Sequence, residues 1–157
     1  MALEKVKEYF RKYGLEERIV ELNESLATVT EAAKALHTEE ERIAKTLSFL
    51  VQEKPILIVF AGDTKVDNHK FKEFFHEKAK MISPMEVESF IGHAPGGVCP
   101  FAIFDTVRVY LDESLKRFKT VFPSCGSTNS AIELTLHELE SYAQNVVCYI
   151  DVGKKIE

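Results

Sequence analysis

KTLSFLVQEKPILIVFAG, Lys45 to Gly62, is the stretch from which the fold can be read. It holds two runs, KTLSFLV and ILIVFAG, rich in apolar, β-branched and aromatic residues and separated only by QEKP. Such runs on either side of a short polar connection predict two well-buried strands joined as a hairpin. Upstream, ALEKVKEYFRKYG places Leu3, Val6, Tyr9, Phe10 and Tyr13 at helical spacing and stops at Gly14, a residue suited to ending a helix. RIVEL then reads as a short strand. Thr28 and Glu31 form the Ser/Thr-x-x-Glu pattern in which side chain and backbone cap each other, so a helix starts there. A second short helix is expected over Glu39 to Ile43.

Downstream, NHKFKEFFHEK is a helix with Phe71, Phe74 and Phe75 on one face, and AKMIS a short strand. SPMEVESFIG has Ser83 as cap, Pro84 at the first helical position and Gly92 as the stop. RVYLDES, TVFPSCG and AIEL have strand character. TLHELESYAQ opens on a second capping pattern, Thr135 with Glu138, and VVCYIDV is a final strand. Hairpin-like pairs mixed with helices, rather than steady strand–helix alternation, predict one α/β domain over residues 1–157, its sheet mixed or largely antiparallel.

Composition narrows the class. The chain has 157 residues, 45% of them apolar and 29% charged, enough for an ordinary core. No apolar run approaches the roughly 20 residues needed to span a bilayer. MALEKVKEYF lacks the apolar centre of a signal peptide. The cysteines, Cys99, Cys125 and Cys148, are three in number and far apart, which fits neither a disulfide framework nor a zinc pattern. A reduced, cytoplasmic protein is expected. A net charge of −5 argues against broad nucleic-acid binding, which depends on many cationic phosphate contacts. It leaves room for a local basic patch drawn from Lys65, Lys70, Lys72, Lys78, Lys80, Lys116, Arg117 and Lys119, which otherwise are solvated helix faces.

Common catalytic templates are missing. GHAPGG lacks the Lys-Ser/Thr of a phosphate-binding loop, and neither a His-Glu-x-x-His nor a Gly-x-Ser-x-Gly occurs. No metal or cofactor is expected. Three segments remain. In HAPGGVCPF, His93 to Phe101, Gly96 and Gly97 permit backbone geometry closed to other residues. The amides of Gly97, Val98 and Cys99 could then converge on an anion or carbonyl oxygen, with Pro100 fixing the exit; the alternative is a structural turn. Cys99 as a nucleophile would need a lowered thiol pKa and a meeting with His93. Lys45 stands directly before an apolar strand, either solvated or supplying a fixed cation to a cleft. Gly126, Ser127, Thr128, Asn129 and Ser130 form a polar turn that is either turn chemistry or a donor-rich rim for a ribose or an amino group.

Taken together, ERIAKTLSF, GHAPGGVCPF and YLDESLKRFKTVFPSCGSTNSAIELT resemble the YbaK/EbsC family, free-standing relatives of the editing domain inserted in bacterial prolyl-tRNA synthetases. The resemblance runs from about residue 25 to about residue 140. It rests on the Lys-Thr-Leu, the Gly-x-x-x-Pro loop and the Ile-Glu-Leu strand occurring together in order. It implies a mixed, largely antiparallel, barrel-like sheet flanked by helices. It also implies hydrolysis of the ester joining a wrong amino acid to tRNA, chiefly proline tRNA, without metal or protein nucleophile. On that reading Lys45 positions the terminal adenosine, and Gly96 to Pro100 hold the aminoacyl group. Gly96 and Gly97 join Lys45 as catalytic positions; Val98, Cys99, Pro100, Phe101, Ser127, Asn129 and Ser130 are substrate-binding ones. The partners implied are an aminoacylated tRNA 3′ end, which needs only a local patch such as Lys70, Lys72, Lys116 and Arg117, and prolyl-tRNA synthetase.

An ester is already activated, so positioning and carbonyl polarisation can supply much of the acceleration. A small pocket can admit alanine, cysteine or serine and exclude larger groups. Cysteine-specific bacterial members carry an acidic residue before Ile-Glu-Leu, where this chain has Ala131, so the amino acid stays open. Two rivals stand beside this reading: a module of the same fold that grips a tRNA end or synthetase without hydrolysis, and a thiol hydrolase using Cys99.

Overall fold

Gln52 and Glu53 join the two apolar runs as a two-residue turn, both with positive φ, 52° and 64°. That mirror-image geometry matches the right-handed twist of the strands it connects. The structure, a computed structural model, describes residues 2–156. In chain order its elements are α1 (Ala2–Arg11), β1 (Ile19–Glu21), α2 (Val29–Ala35), β2 (Ile43–Val51), β3 (Lys54–Ala61), β4 (Thr64–Val66), α3 (Asn68–Phe75), α4 (Val87–Ile91), β5 (Arg108–Asp112), β6 (Thr120–Pro123), β7 (Ser130–Ile132), β8 (Leu134–Thr135), α5 (Leu136–Tyr142), β9 (Val146–Ile150) and β10 (Gly153–Lys155). A single 3-10 turn, Glu40–Arg42, takes the place of the second short helix.

Six strands form a curled, half-barrel sheet in the order β8-β6-β2-β3-β5-β9. The hairpin is its longest pairing, antiparallel from Ala44↔Ala61 to Val51↔Lys54. Parallel β5 lies beside β3, and β9 beside β5. On the other side β2 meets β6 in parallel for only two residues, Ile43 and Ala44. With the antiparallel pairs β6·β8, β1·β7 and β4·β10, the sheets are mixed as expected.

The continuous apolar run of β3 has a direct cause. Successive side chains point to opposite faces, and both faces are covered. Leu57 and Val59 face a core shared with Val6 and Phe10 of α1, while Ile58 and Phe60 face Phe49, Phe71 and Tyr110. A third, smaller cluster joins Leu26, Ala32, Ala33, Ile43 and Ala131. Thr28 and Thr135 cap α2 and α5 as their spacing predicts, the latter in a complete reciprocal box.

Two segments differ from expectation. AKMIS makes one bridge, Phe49↔Met81, instead of a strand. The Ile82 amide donates to the Ser48 carbonyl and the Leu50 amide to the Lys80 carbonyl, and the ladder then reaches Pro84, which has no N–H to continue it. Ser83 begins a turn, its carbonyl taking the Glu86 and Val87 amides, before α4 proper. The ribbon β4·β10 carries no apolar alternation and leaves no strand signal in TKV or GKK.

Candidate functional site

Because β6 leaves β2 after Ala44, the sheet opens at Lys45. A pocket of about 330 Å³ lies in that opening. Its walls are α2 with the segment before it, the edge of β2, the 81–87 segment, the glycine loop, and residues from β6 and β7. Lys45 is the one charged residue that lines it, and its ammonium forms no ion pair or side-chain hydrogen bond among the described residues. Burial pushes its pKa below the ordinary lysine value, with Asp63 opposing the shift. A desolvated cation without a partner is unfavourable in the folded protein. Its natural complement is an anionic group on a ligand.

The glycine loop forms the facing wall through Gly96 and Val98. Gly96 has φ +85°, a left-handed conformation that favours glycine. Gly97 needs its missing Cβ for another reason: a Cβ there would come within 2.6 Å of the Gly126 carbonyl oxygen and 2.9 Å of the Ser127 nitrogen. Gly97 therefore docks the loop onto the polar turn, and its own amide donates to the Ala94 carbonyl. The Ser124 hydroxyl fixes the Val98 carbonyl at 3.1 Å. The amides of Val98 and Cys99 find no acceptor among the described residues.

Cys99 and His93 do meet, with Sγ 3.5 Å from Nε2, and both are fully buried. Nε2 is 2.7 Å from the Phe101 carbonyl oxygen. A carbonyl only accepts, so Nε2 carries the proton and cannot serve as base towards the thiol. Burial pushes the thiol pKa up to about 12. Pro100 is buried, its carbonyl taking the Gln144 amide, and Phe101 packs at 4.7 Å from Phe10 in the core. Of the loop's candidates, the pocket receives Gly96 and Val98, whereas Gly97, Cys99, Pro100 and Phe101 stand behind it.

In the polar turn, Ser130 lines the pocket and its Oγ lies 2.6 Å from Ser127 Oγ. Asn129 donates its side-chain amide to the Leu22 carbonyl and accepts the Leu22 amide on its own carbonyl. It thereby fastens the segment that carries Leu26 into the pocket wall. Ala131, singled out from sequence as the position before Ile-Glu-Leu, also lines it, whereas the rest of that wall was missed: Leu26, Ala32, Ile43 and Phe122 come from separate segments that nothing in their spacing connects. Of the four suggested tRNA-patch cations, Lys70 pairs with Asp151, Lys116 with Glu113, and Arg117 with Asp63 through two contacts of 2.6 and 2.9 Å. Lys72 has no ion pair among the described residues. The described residues include no cluster of side chains suited to a metal ion, and no helix long and apolar enough to cross a membrane.

The model of the family described as the aminoacyl-tRNA editing domain matches residues 23–142. The chain is 49% identical to the uncharacterized protein YwhH of Bacillus subtilis (strain 168) over 158 residues, 100% of both chains. It is 23% identical to a proline–tRNA ligase of Lactiplantibacillus plantarum over 92 residues, 58% of this chain but 16% of the ligase, so it corresponds to a small part of that enzyme. A crystal structure of a candidate trans-editing enzyme for prolyl tRNA synthetase superposes with a TM-score of 0.86 at 26% identity, covering 98% of this chain and 97% of the other.

Proposed function

The chain belongs to the aminoacyl-tRNA editing domain family, and from that premise we propose that it is a trans-acting deacylase. It hydrolyses the ester between a tRNA, in the first instance tRNA(Pro), and a wrongly attached small amino acid. The observation that carries this reading is the unpaired, half-buried ammonium of Lys45 facing the glycine loop across an otherwise uncharged pocket. Lys45 takes a phosphate or ribose oxygen of the terminal adenosine. The free amide of Val98 is the loop's available donor for the ester carbonyl, where negative charge builds in the tetrahedral intermediate. Water, or a group of the substrate itself, adds to the carbonyl carbon. The bond to the ribose oxygen then breaks, that oxygen takes a proton, and amino acid and tRNA leave.

Gly97 and Asn129 act by position: one docks the loop, the other holds Leu26. No thiol step is invoked, because Cys99 is buried with its proton held. The side-chain wall of Leu26, Ala32, Ile43, Phe122 and Ala131 is apolar, which favours alanine over serine among small amino acids. The setting is the cytoplasm, with the charged tRNA end and prolyl-tRNA synthetase as partners.

The test is incubation with tRNA(Pro) charged separately with alanine, cysteine, serine and proline, alongside Lys45→Ala. Loss of one non-cognate ester, abolished by the substitution, supports editing. Survival of all four esters with retained binding of charged tRNA makes the protein a binding module instead.

A further inference from the structure

The floor of the pocket is an interrupted β-ladder. The carbonyl of Ser48 and the amide of Leu50 both point away from β3, since they bond to Ile82 and Lys80. The register of β2 against β3 is continuous from Ala44 to Val51. Backbone direction alternates along a strand, so the N–H and C=O of Thr46 point to that same free side. On that side β6 pairs only as far as Ala44, and the 80–82 segment bonds only from Ser48 onward. Continuing the ladder would set Pro84 opposite Thr46 (Phe49↔Met81, then three residues further on each side), and Pro84 has no N–H to give. Neither the amide nor the carbonyl of Thr46 has a backbone partner outside β2·β3 among the described residues. Thr46 Oγ1 is buried and likewise unpartnered. An open strand edge is a ready template for another backbone.

We infer that the aminoacyl group is bound as an added residue of the sheet, pairing with Thr46 at this gap. An aminoacyl ester carries nitrogen, Cα and carbonyl in the order of a strand residue. Its amino group can donate to the Thr46 carbonyl while its ester carbonyl accepts the Thr46 amide, the two-bond exchange of an antiparallel pair. The pocket's composition limits what can hold that amino group. No carboxylate lines it and its one ionic group, Lys45, is a cation, so an amino group entering here is held by neutral oxygens. The ester's carbonyl oxygen has two lone pairs, and Thr46 N–H supplies a second donor opposite the glycine loop. The pairing reads only atoms common to every amino acid, leaving side-chain choice to the apolar wall. It requires a free amino group, so the ligand class is an unblocked α-aminoacyl ester.

This inference rests on the deacylase reading for its ligand, and the experiment separates the two. Isotope-labelled protein is titrated with 3′-deoxy-3′-(L-alanylamino)adenosine, a non-hydrolysable analogue, and with the propionylamino compound that lacks only the amine. With the alanyl compound, the Thr46 amide and carbonyl resonances shift. The propionyl compound leaves the Thr46 carbonyl resonance in place and binds about tenfold or more weakly, the loss expected for a hydrogen bond to a charged group. Equal affinity for the two compounds, binding of the alanyl compound without a shift at Thr46, or binding of neither overturns the pairing. Ester hydrolysis on charged tRNA without Thr46 pairing refutes this inference alone. Thr46 pairing without ester hydrolysis refutes the deacylase reading alone.

Discussion

Gly97→Ala adds one methyl group at the point where the glycine loop rests on the polar turn. The new Cβ would lie 2.6 Å from the Gly126 carbonyl oxygen, 2.7 Å from its carbon and 2.9 Å from the Ser127 nitrogen. All three are backbone atoms, so no side chain can rotate away. Gly126 is itself confined, since a Cβ on it would meet the Ala2 carbonyl oxygen at 2.9 Å. Forcing such a contact costs about 1–3 kcal/mol. Gly97 has no positive φ, so alanine returns about 0.4–1 kcal/mol by restricting the unfolded chain. The net loss is about 1–2 kcal/mol, which for a chain of this size lowers the Tm by about 3–6 °C. Thermal unfolding followed by circular dichroism measures it, with Gly14→Ala as the comparison. Gly14, unlike Gly97, has a positive φ, +72°, and open space around it, so that variant reports backbone strain without a clash. Deacylation by Gly97→Ala should fall in the same preparation, because Val98 moves with the loop. An unchanged or raised Tm would refute the claim that Gly97 serves close packing.

Lys45→Met should abolish deacylation yet raise the Tm at pH 7 by about 2–4 °C, because it removes a buried cation without a partner; a fall in Tm would show that Lys45 is structurally engaged. The sign follows from its lowered pKa: the charged form is the one folding disfavours, so wild-type stability gains as pH rises through the folded pKa towards the ordinary lysine value. Glu138 goes the other way. Its bonds to Arg18, then to the Thr135 amide, hold its pKa at about 2 against an ordinary 4.5. Its contribution is therefore complete above pH 4.5 and lost as pH falls towards 2. Glu138→Gln should cost about 1 kcal/mol at pH 7 and flatten the acid-unfolding curve in that window; an identical acid limb would dismiss the pair. Iodoacetamide should add one group, at exposed Cys148, leaving buried Cys99 and Cys125 untouched and deacylation intact; inactivation before unfolding would restore the thiol mechanism.

The parts legible from sequence were those fixed by neighbours in the chain. The hairpin shows in its two apolar runs because both faces of β3 are covered, and Thr28 and Thr135 show their caps because each cap partner lies three residues away. The glycine loop was visible as a loop, but which glycine does what was not. Gly96 needs its φ, whereas Gly97 needs the space that Gly126 occupies about thirty positions later in the chain. Asn129 shows the same limit: its amide is a good donor on paper, and only the fold reveals that Leu22 already takes it. The β2 edge at Thr46 is invisible in a one-dimensional reading, since it depends on where β6 departs and on Pro84 arriving opposite. Lys72, Lys116 and Arg117 look alike as cations until their carboxylate neighbours are known.

The placement of α1 bears on how the chain comes together during synthesis. Val6 and Phe10 lie in the main core, Phe10 against Phe101, and Tyr9 donates to the Tyr142 carbonyl 133 residues away. At translation rates of roughly 5–20 residues per second, α1 waits on the order of ten seconds for the far wall of its groove to emerge. Through that interval an amphipathic helix with two bare apolar anchors is held next to a growing β-sheet whose edges are unfinished. The helix is made long before the segments that seat it, and its docking closes over Gly126 the loop on which the glycine wall depends. A pocket competent for substrate thus exists only once residues as far as Tyr142 have been made.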